Sequence, residues 1–339
     1  MKQSLLYTTA LMMLGVAAGY AQTKTGTTVG QFLLIEPSAR ISAMGNAGAT
    51  ATGEVQATYY NPAALGYLSG SGVQVTHSAW IADITYDYVG GVLALGELGN
   101  LFGSVTALNS GDIEVRTIDQ PLGTGERYTV SDVAFGLGFG RRISDRFTLG
   151  LQITYLQETI WHSSMSAVAI NIGTLYQISQ DGLRIGASIS NWGTRATFDG
   201  RDLRVLYDQN PDLHGQNPGL PAQLHLDDFP LPILFRVGLG YPITIDEDNK
   251  LMLALDALHP SDNTESVNVG VEWLFFNTFA LRGGYQNYRF TLHTDSEVGL
   301  TLGAGVQYGM DDFRLFVDYG WADQGRLQKS QRLTLGLLF

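Results

Sequence analysis

The 339-residue sequence contains no cysteine. Disulfide staples and thiolate metal sites are therefore excluded, as is an acylated cysteine behind a cleaved leader. Charge is scarce too, with Asp, Glu, Lys and Arg making up 15% of the chain, and the basic share is the smaller one: 20 Lys and Arg against 32 Asp and Glu. Affinity for phosphates is carried by cations, so a chain of net charge −12 has no nucleic-acid partner. Beyond the first residues there is no apolar run near the roughly 20 residues that a membrane-spanning helix requires. Prolines number only 10, against 41 glycines and 11% aromatics, which excludes a disordered chain and points to strands and turns.

The opening "MKQSLLYTTALMMLGVAAGYAQ" places Lys2 before an apolar stretch from Leu5 to Ala18, then Gly19 and Ala21 before Gln22. This is the pattern of a secretory signal peptide, expected over residues 1–21, and it implies export.

What the rest of the chain has in abundance is alternation. In "RFTLGLQITYL", Phe147, Leu149, Leu151, Ile153 and Tyr155 share one face, and Thr148, Gly150, Gln152 and Thr154 share the other. The chain ends the same way in "QRLTLGLLF", with Leu333, Leu335, Leu337 and Phe339 opposite Arg332, Thr334 and Gly336. Period-2 patterning of this kind marks strands with two different environments. It predicts strands near 72–80, 83–95, 99–110, 128–141, 146–158, 165–178, 183–192, 233–243, 249–259, 266–276, 278–289, 298–309, 313–322 and 331–339.

Soluble sandwiches alternate as well, but their strands average about 5–6 residues, whereas many of these run to about 10, the length that crosses a bilayer at a strong tilt. Connections after even strands are tight, and several after odd strands are long, notably 111–127 and 193–232. That asymmetry is the one expected of an outer-membrane barrel with periplasmic turns and extracellular loops. The fold class is thus all-β, a transmembrane antiparallel β-barrel of about 14 strands spanning 72–339. In a closed barrel the last strand pairs with the first, so a greasy C-terminal strand is no frayed edge. Trp192, Trp273 and Trp321 suit interfacial girdles.

Residues 22–71 do not alternate. In "EPSARISAMGNAG", Pro37 is placed for the first turn of a short helix and Gly45 for its exit. Too short for a domain, this segment is expected as a plug inside the lumen, which a barrel of about 14 strands would otherwise leave open.

No catalytic constellation stands out, and the chain is read as non-enzymatic, without cofactor or metal. The six histidines are scattered singly, without the spacing that puts a pair on one helical face for zinc. "FGLGFG" has the look of a phosphate loop but continues a strand with no helix after it. "DEDNK" lacks the later glutamate of a calcium loop and reads as a solvated hairpin. Residues 193–232 hold half of the prolines with aliphatics interspersed, and a loop of this length is usually functional or disordered. Either it caps the barrel mouth or it offers a partner surface; Leu206, Tyr207, Leu213, Leu224 and Phe229 are the candidate contacts.

The stretch "SARISAMGNAGATATGEVQATYYNPAAL" resembles the amino-terminal signature of the PorV/PorQ family of outer-membrane proteins, related in fold to the FadL long-chain fatty-acid transporters. The motif positions are Arg40, Met44, Gly45, Tyr60, Asn61 and Pro62, with Ala39, Ala47 and Ala63 to Leu65 beside them; "LNSGDIEV" at 108–115 resembles a second family stretch. The resemblance implies a FadL-like barrel that belongs to the type IX secretion system. It implies partners as well: secreted cargo recognised through C-terminal sorting domains, and the translocon and sortase components that receive and attach it. Gly53 and Glu54 depart from the paired acidic residues frequent in relatives. The competing implication is a FadL-like outer-membrane channel for hydrophobic small molecules.

Overall fold

The computed structural model describes residues 24–179, 182–210, 212, 219–288, 299–310 and 313–339. The expected leader and Leu213 lie outside these residues.

Fourteen long strands close into an antiparallel barrel. They are β1 (Gly72–Ala79), β2 (Thr85–Ala94), β3 (Asn100–Asn109), β4 (Val130–Ser144), β5 (Phe147–Ile160), β6 (Ser163–Gln177) and β7 (Arg184–Gly193), followed by β8 (Leu234–Thr244), β9 (Lys250–Pro260), β10 (Ser266–Phe275), β11 (Phe279–Tyr288), β12 (Leu300–Met310), β13 (Phe313–Asp323) and β14 (Lys329–Leu338). Each pairs with its sequence neighbour, and β14 closes on β1 in continuous register from Gly72 opposite Leu338 to Ala79 opposite Gln331. The Phe339 N–H donates to the Ser71 carbonyl at 2.8 Å, so pairing runs to the end of the chain.

The alternation in the sequence is the wall's inside-out pattern. Leu333, Leu335 and Leu337 point outward, while Arg332 and Thr334 are buried inside. Leu149, Leu151, Ile153 and Tyr155 face out in β5 against buried Thr148, Gln152 and Thr154. Closure leaves no unpaired edge in the wall, the condition for a sheet in hydrocarbon. Trp192 and Trp273 are exposed near the C-terminal ends of β7 and β10, which run in opposite directions and so place them at opposite rims of the wall.

Most strand boundaries fall within about two residues of the sequence reading, and three differences have a local cause. β2 starts at Thr85 instead of 83, because Ala82 and Asp83 take positive φ (54° and 61°) in the preceding turn. β4 starts at Val130 and runs on to Ser144, because Arg127–Tyr128 pairs with Ile113–Glu114 in a small hairpin of the loop above. Pro37 precedes the first helix instead of lying in its first turn. That helix, α1 (Ala39–Ala43), is capped by Ser38, whose side chain accepts the Ile41 N–H, and Gly45 leaves it at φ 65°.

Two β-bulges share one design. Ser190 and Asn191 in β7 stand opposite Asn171 of β6, and Gln286 and Asn287 in β11 stand opposite Asn268 of β10. In each the extra asparagine is left-handed (φ 62° and 55°), and its N–H donates to the facing asparagine's Oδ1 at 2.7 Å. A short polar side chain tolerates that conformation and repairs the broken ladder.

Candidate functional site

Residues 30–68 pack against the inward-facing side of the wall. After α1 the segment turns back through α2 (Ala57–Tyr60) and a 3-10 turn over Pro62–Tyr67, and most of its side chains are buried. Its path follows the wall strand by strand, over glycines that face inward. A methyl group added at Gly303 of β12 would stand 2.4 Å from the Ala43 Cβ, at Gly270 of β10 2.2 Å from the Met44 carbonyl oxygen, and at Gly150 of β5 2.2 Å from Pro62. The small residues on the polar faces of the strands are therefore the space into which this segment packs. Gly45 itself is pressed on the wall. A Cβ there would lie 2.5 Å from the Val269 carbonyl oxygen, at a φ that already disfavours a side chain.

Buried side chains fasten the segment. Asn61 caps the 3-10 turn through its Oδ1 and the Ala63 N–H, and its Nδ2 donates to the carbonyls of Ala49 (2.8 Å) and Thr174 (2.9 Å). Tyr60 donates to Asn46 Oδ1 and lies under the guanidinium of Arg236, whose Cζ is 5.0 Å from the ring centre. Arg332 on β14 donates to the Glu36 carbonyl (2.9 Å) and to Ser42 Oγ (2.8 Å), with Trp80 against its face. At the turn end, Arg40 is bidentate on Glu272, which also accepts from Arg282, and Arg282 reaches Asp318 at 2.6 Å. These groups and Arg314 line a cavity of about 230 Å³. Glu54 is fully enclosed beside them, accepting from Ser38 and Gln74. Burial pushes its carboxyl above the ordinary range, and Arg40 and the Gln74 amide offset that only in part.

The motif residues Arg40, Met44, Gly45, Tyr60, Asn61 and Pro62 thus contact the inner wall in turn around the lumen and do not meet at one point. Sequence reading missed the wall's own partners: Arg236, Asp256, Glu272, Arg282, Asp318 and Arg332. The signal was a lone charge at an inward position of an apolar or glycine-rich strand, as in "LFRVG" and "FVDYG".

At the opposite end, the described residues of 194–233 have two parts. The base lies over the lumen. Ala196 and Phe229 exchange backbone hydrogen bonds of 2.9 and 2.8 Å, Val29 donates to the Pro230 carbonyl, and Leu231 is buried. The remainder includes a hairpin, Arg204–Tyr207 against Leu220–Gln223, extended by a Leu224 N–H to Leu203 carbonyl bond. Leu206 (75% exposed) and Tyr207 (54%) sit on it in solvent, with Leu224 beside them. Phe229 belongs to the base, not to the hairpin. The loop 110–129 carries further exposed apolar residues, Ile118 (99%) and Leu122 (92%), isolated among polar neighbours and missed in the sequence. Among the described residues no three His, Cys, Asp or Glu side chains cluster as a metal cage.

A closed antiparallel wall with an apolar exterior and a polar inner face defines an outer-membrane β-barrel. Solved structures with the same fold include the toluene transporter TodX of Pseudomonas putida (TM-score 0.54, 12% identity, 90% of this chain and 98% of that one). The toluene transporter TbuX of Ralstonia pickettii is also similar (TM-score 0.52, 13% identity, 90% and 98%). At these identities the likeness shows the FadL-like barrel fold alone. The family model for the type IX secretion system protein PorV matches residues 18–259, and the chain belongs to that family. No curated protein sequence matches it.

Proposed function

We propose that this barrel is a non-enzymatic receptor of type IX secretion. Its loops bind secreted cargo through C-terminal sorting domains, and the cargo then passes to the translocon and surface-attachment machinery. On this reading the long loops 111–127 and 193–232 face outward from the cell, the belt of outward aliphatics meets outer-membrane lipid, and residues 22–71 act as the plug.

The observation that carries the reading is the contrast between the barrel's two apolar inventories. Inside, residues 30–68 lie on wall glycines at contact distance and are held by buried arginines. Outside, beyond the strand ends, a paired hairpin displays Leu206 and Tyr207, which are largely exposed among the described residues. Exposed aromatic and aliphatic anchors on an ordered support are what a protein partner buries. The experiment is capture of isolated sorting domains by the purified barrel in detergent. Retention of these domains, and not of the same cargo trimmed of them, supports the proposal. Loss of hydrophobic small-molecule uptake in a deletion strain, without any capture, replaces it with the channel reading.

A further inference from the structure

Two carboxylates face each other at the loop end of the lumen where no cation accompanies them. Asp132 of β4 and Glu158 of β5 are direct cross-strand partners on the inner face, a placement that brings Cβ atoms to about 4.5–5.5 Å and is destabilising for like charges. The next strands offer only Leu108 opposite Asp132 and Met165 opposite Glu158. Neither carboxylate forms an ion pair with Lys, Arg or His among the described residues. Asp132 is only 8% exposed, and its Oδ1 is buried without a hydrogen-bond partner. Glu158 is half-buried and faces the backbone N–H of Gly30. Buried, unsatisfied oxygens in a folded protein call for a ligand, a water or a proton.

We propose that Asp132 and Glu158 together hold a hard divalent cation of the calcium class, with water and backbone carbonyls completing its shell. Such a cation takes oxygen ligands only and tolerates irregular geometry. Two carboxylates are a sparse set, so affinity falls in the weak class, about 10⁻⁴–10⁻³ M. The position gives binding a consequence. Gly30 packs on Leu156 and Leu231, and the strap it begins is tied on its other side by Thr28 and Gln31 to Asp262. A cation between the carboxylates steadies β4 against β5 under the place where the N-terminal segment enters the lumen.

The test measures heat unfolding of the purified barrel in detergent, and protease cutting within 24–34, in calcium and in EDTA. Asp132→Asn, Glu158→Gln and, as a control on the acidic surface, Asp119→Asn are compared with the wild type. Expected is a calcium-dependent rise in unfolding temperature and in protection for the wild type and Asp119→Asn, absent in the other two. Asp132→Asn, freed of the repulsion, should match or exceed the wild type in EDTA. An equal calcium effect in Asp132→Asn overturns the site as diffuse surface binding. A wild type indifferent to calcium and magnesium, with a gain in acid that Asp132→Asn and Glu158→Gln lack, assigns the pair to a shared proton instead.

Discussion

Arg40 and Glu272 form a two-point bridge between the N-terminal segment and the wall, with Nε to Oε2 at 2.8 Å and Nη2 to Oε1 at 2.7 Å. Glu272 serves Arg282 as well, so the two ends of the bridge are not equivalent. Removing Arg40 leaves Glu272 with Arg282; removing Glu272 takes a carboxylate from two guanidinium groups at once, leaving Arg282 with Asp318 and Arg40 with the Thr52 carbonyl and Glu54 at 3.7 Å. Loss of one partner of a buried pair costs about 3–5 kcal/mol, toward the low end for the partly exposed Arg40. Glu272→Gln is therefore expected to destabilise the barrel more than Arg40→Gln, and the double variant to cost less than the two added. Urea titration in micelles checks the order; equal costs or simple additivity contradict it.

Glycines of the wall give a sharper test, because some look inward and others outward. Gly150 lies against Pro62, whereas a Cβ on Gly103 would meet only the Leu137 Cδ2 at 4.0 Å. Gly150→Val should dislodge the 3-10 turn over Pro62–Tyr67, costing at least about 1–3 kcal/mol as overpacking does, and should open residues 30–68 to protease. Gly103→Val should change stability by no more than about 0.5 kcal/mol, as surface substitutions do. Equal protection of the N-terminal segment in both variants would show that the segment is not seated on the wall.

How much of this was legible follows from which signal each feature leaves. The wall was, since Leu333, Leu335 and Leu337 repeat with a period of two that only one face environment explains. The N-terminal segment stood out as a departure from that period, but its route along the wall did not. Gly150, Gly270 and Gly303 read alike as small luminal residues, and nothing local says that Pro62, Met44 and Ala43 will lie on them. Arg332 and Asp318 were visible as charges in greasy strands; their partners Ser42 and Arg282 are distant in sequence. The hairpin 204–207/220–223 escaped because its short strands pair across residues that do not alternate.

Glu54 predicts a pH dependence. Its carboxyl is raised by burial, so between its unfolded value near 4.5 and its folded value the folded state binds the extra proton. This contribution is favourable in acid and is lost as pH rises through that window. Glu54→Gln keeps an acceptor for Ser38 and Gln74 without the charge, and should flatten the acid-side gain. Unfolding temperatures from pH 4.5 to 8 check it; a variant with the wild-type slope removes Glu54 from the account.

The loop end separates binding from folding through two aromatic residues. Tyr207 stands on the projecting hairpin, 54% exposed, and Phe229 lies in the base, where its backbone pairs with Ala196. If the hairpin is the cargo surface, Leu206→Asp and Tyr207→Asp put charge where an apolar contact forms, and each should weaken sorting-domain capture at least tenfold, about 1.4 kcal/mol. Unfolding should not change, since both side chains are largely exposed. Phe229→Asp should act differently, loosening the base over Val29 and Leu231 and lowering protease resistance there along with capture. Charge reversals at Ile118 and Leu122 extend the same logic to the other loop: loss of capture there would make the receptor surface span both loops. Unchanged capture in the Leu206 and Tyr207 variants would move the site off the hairpin altogether.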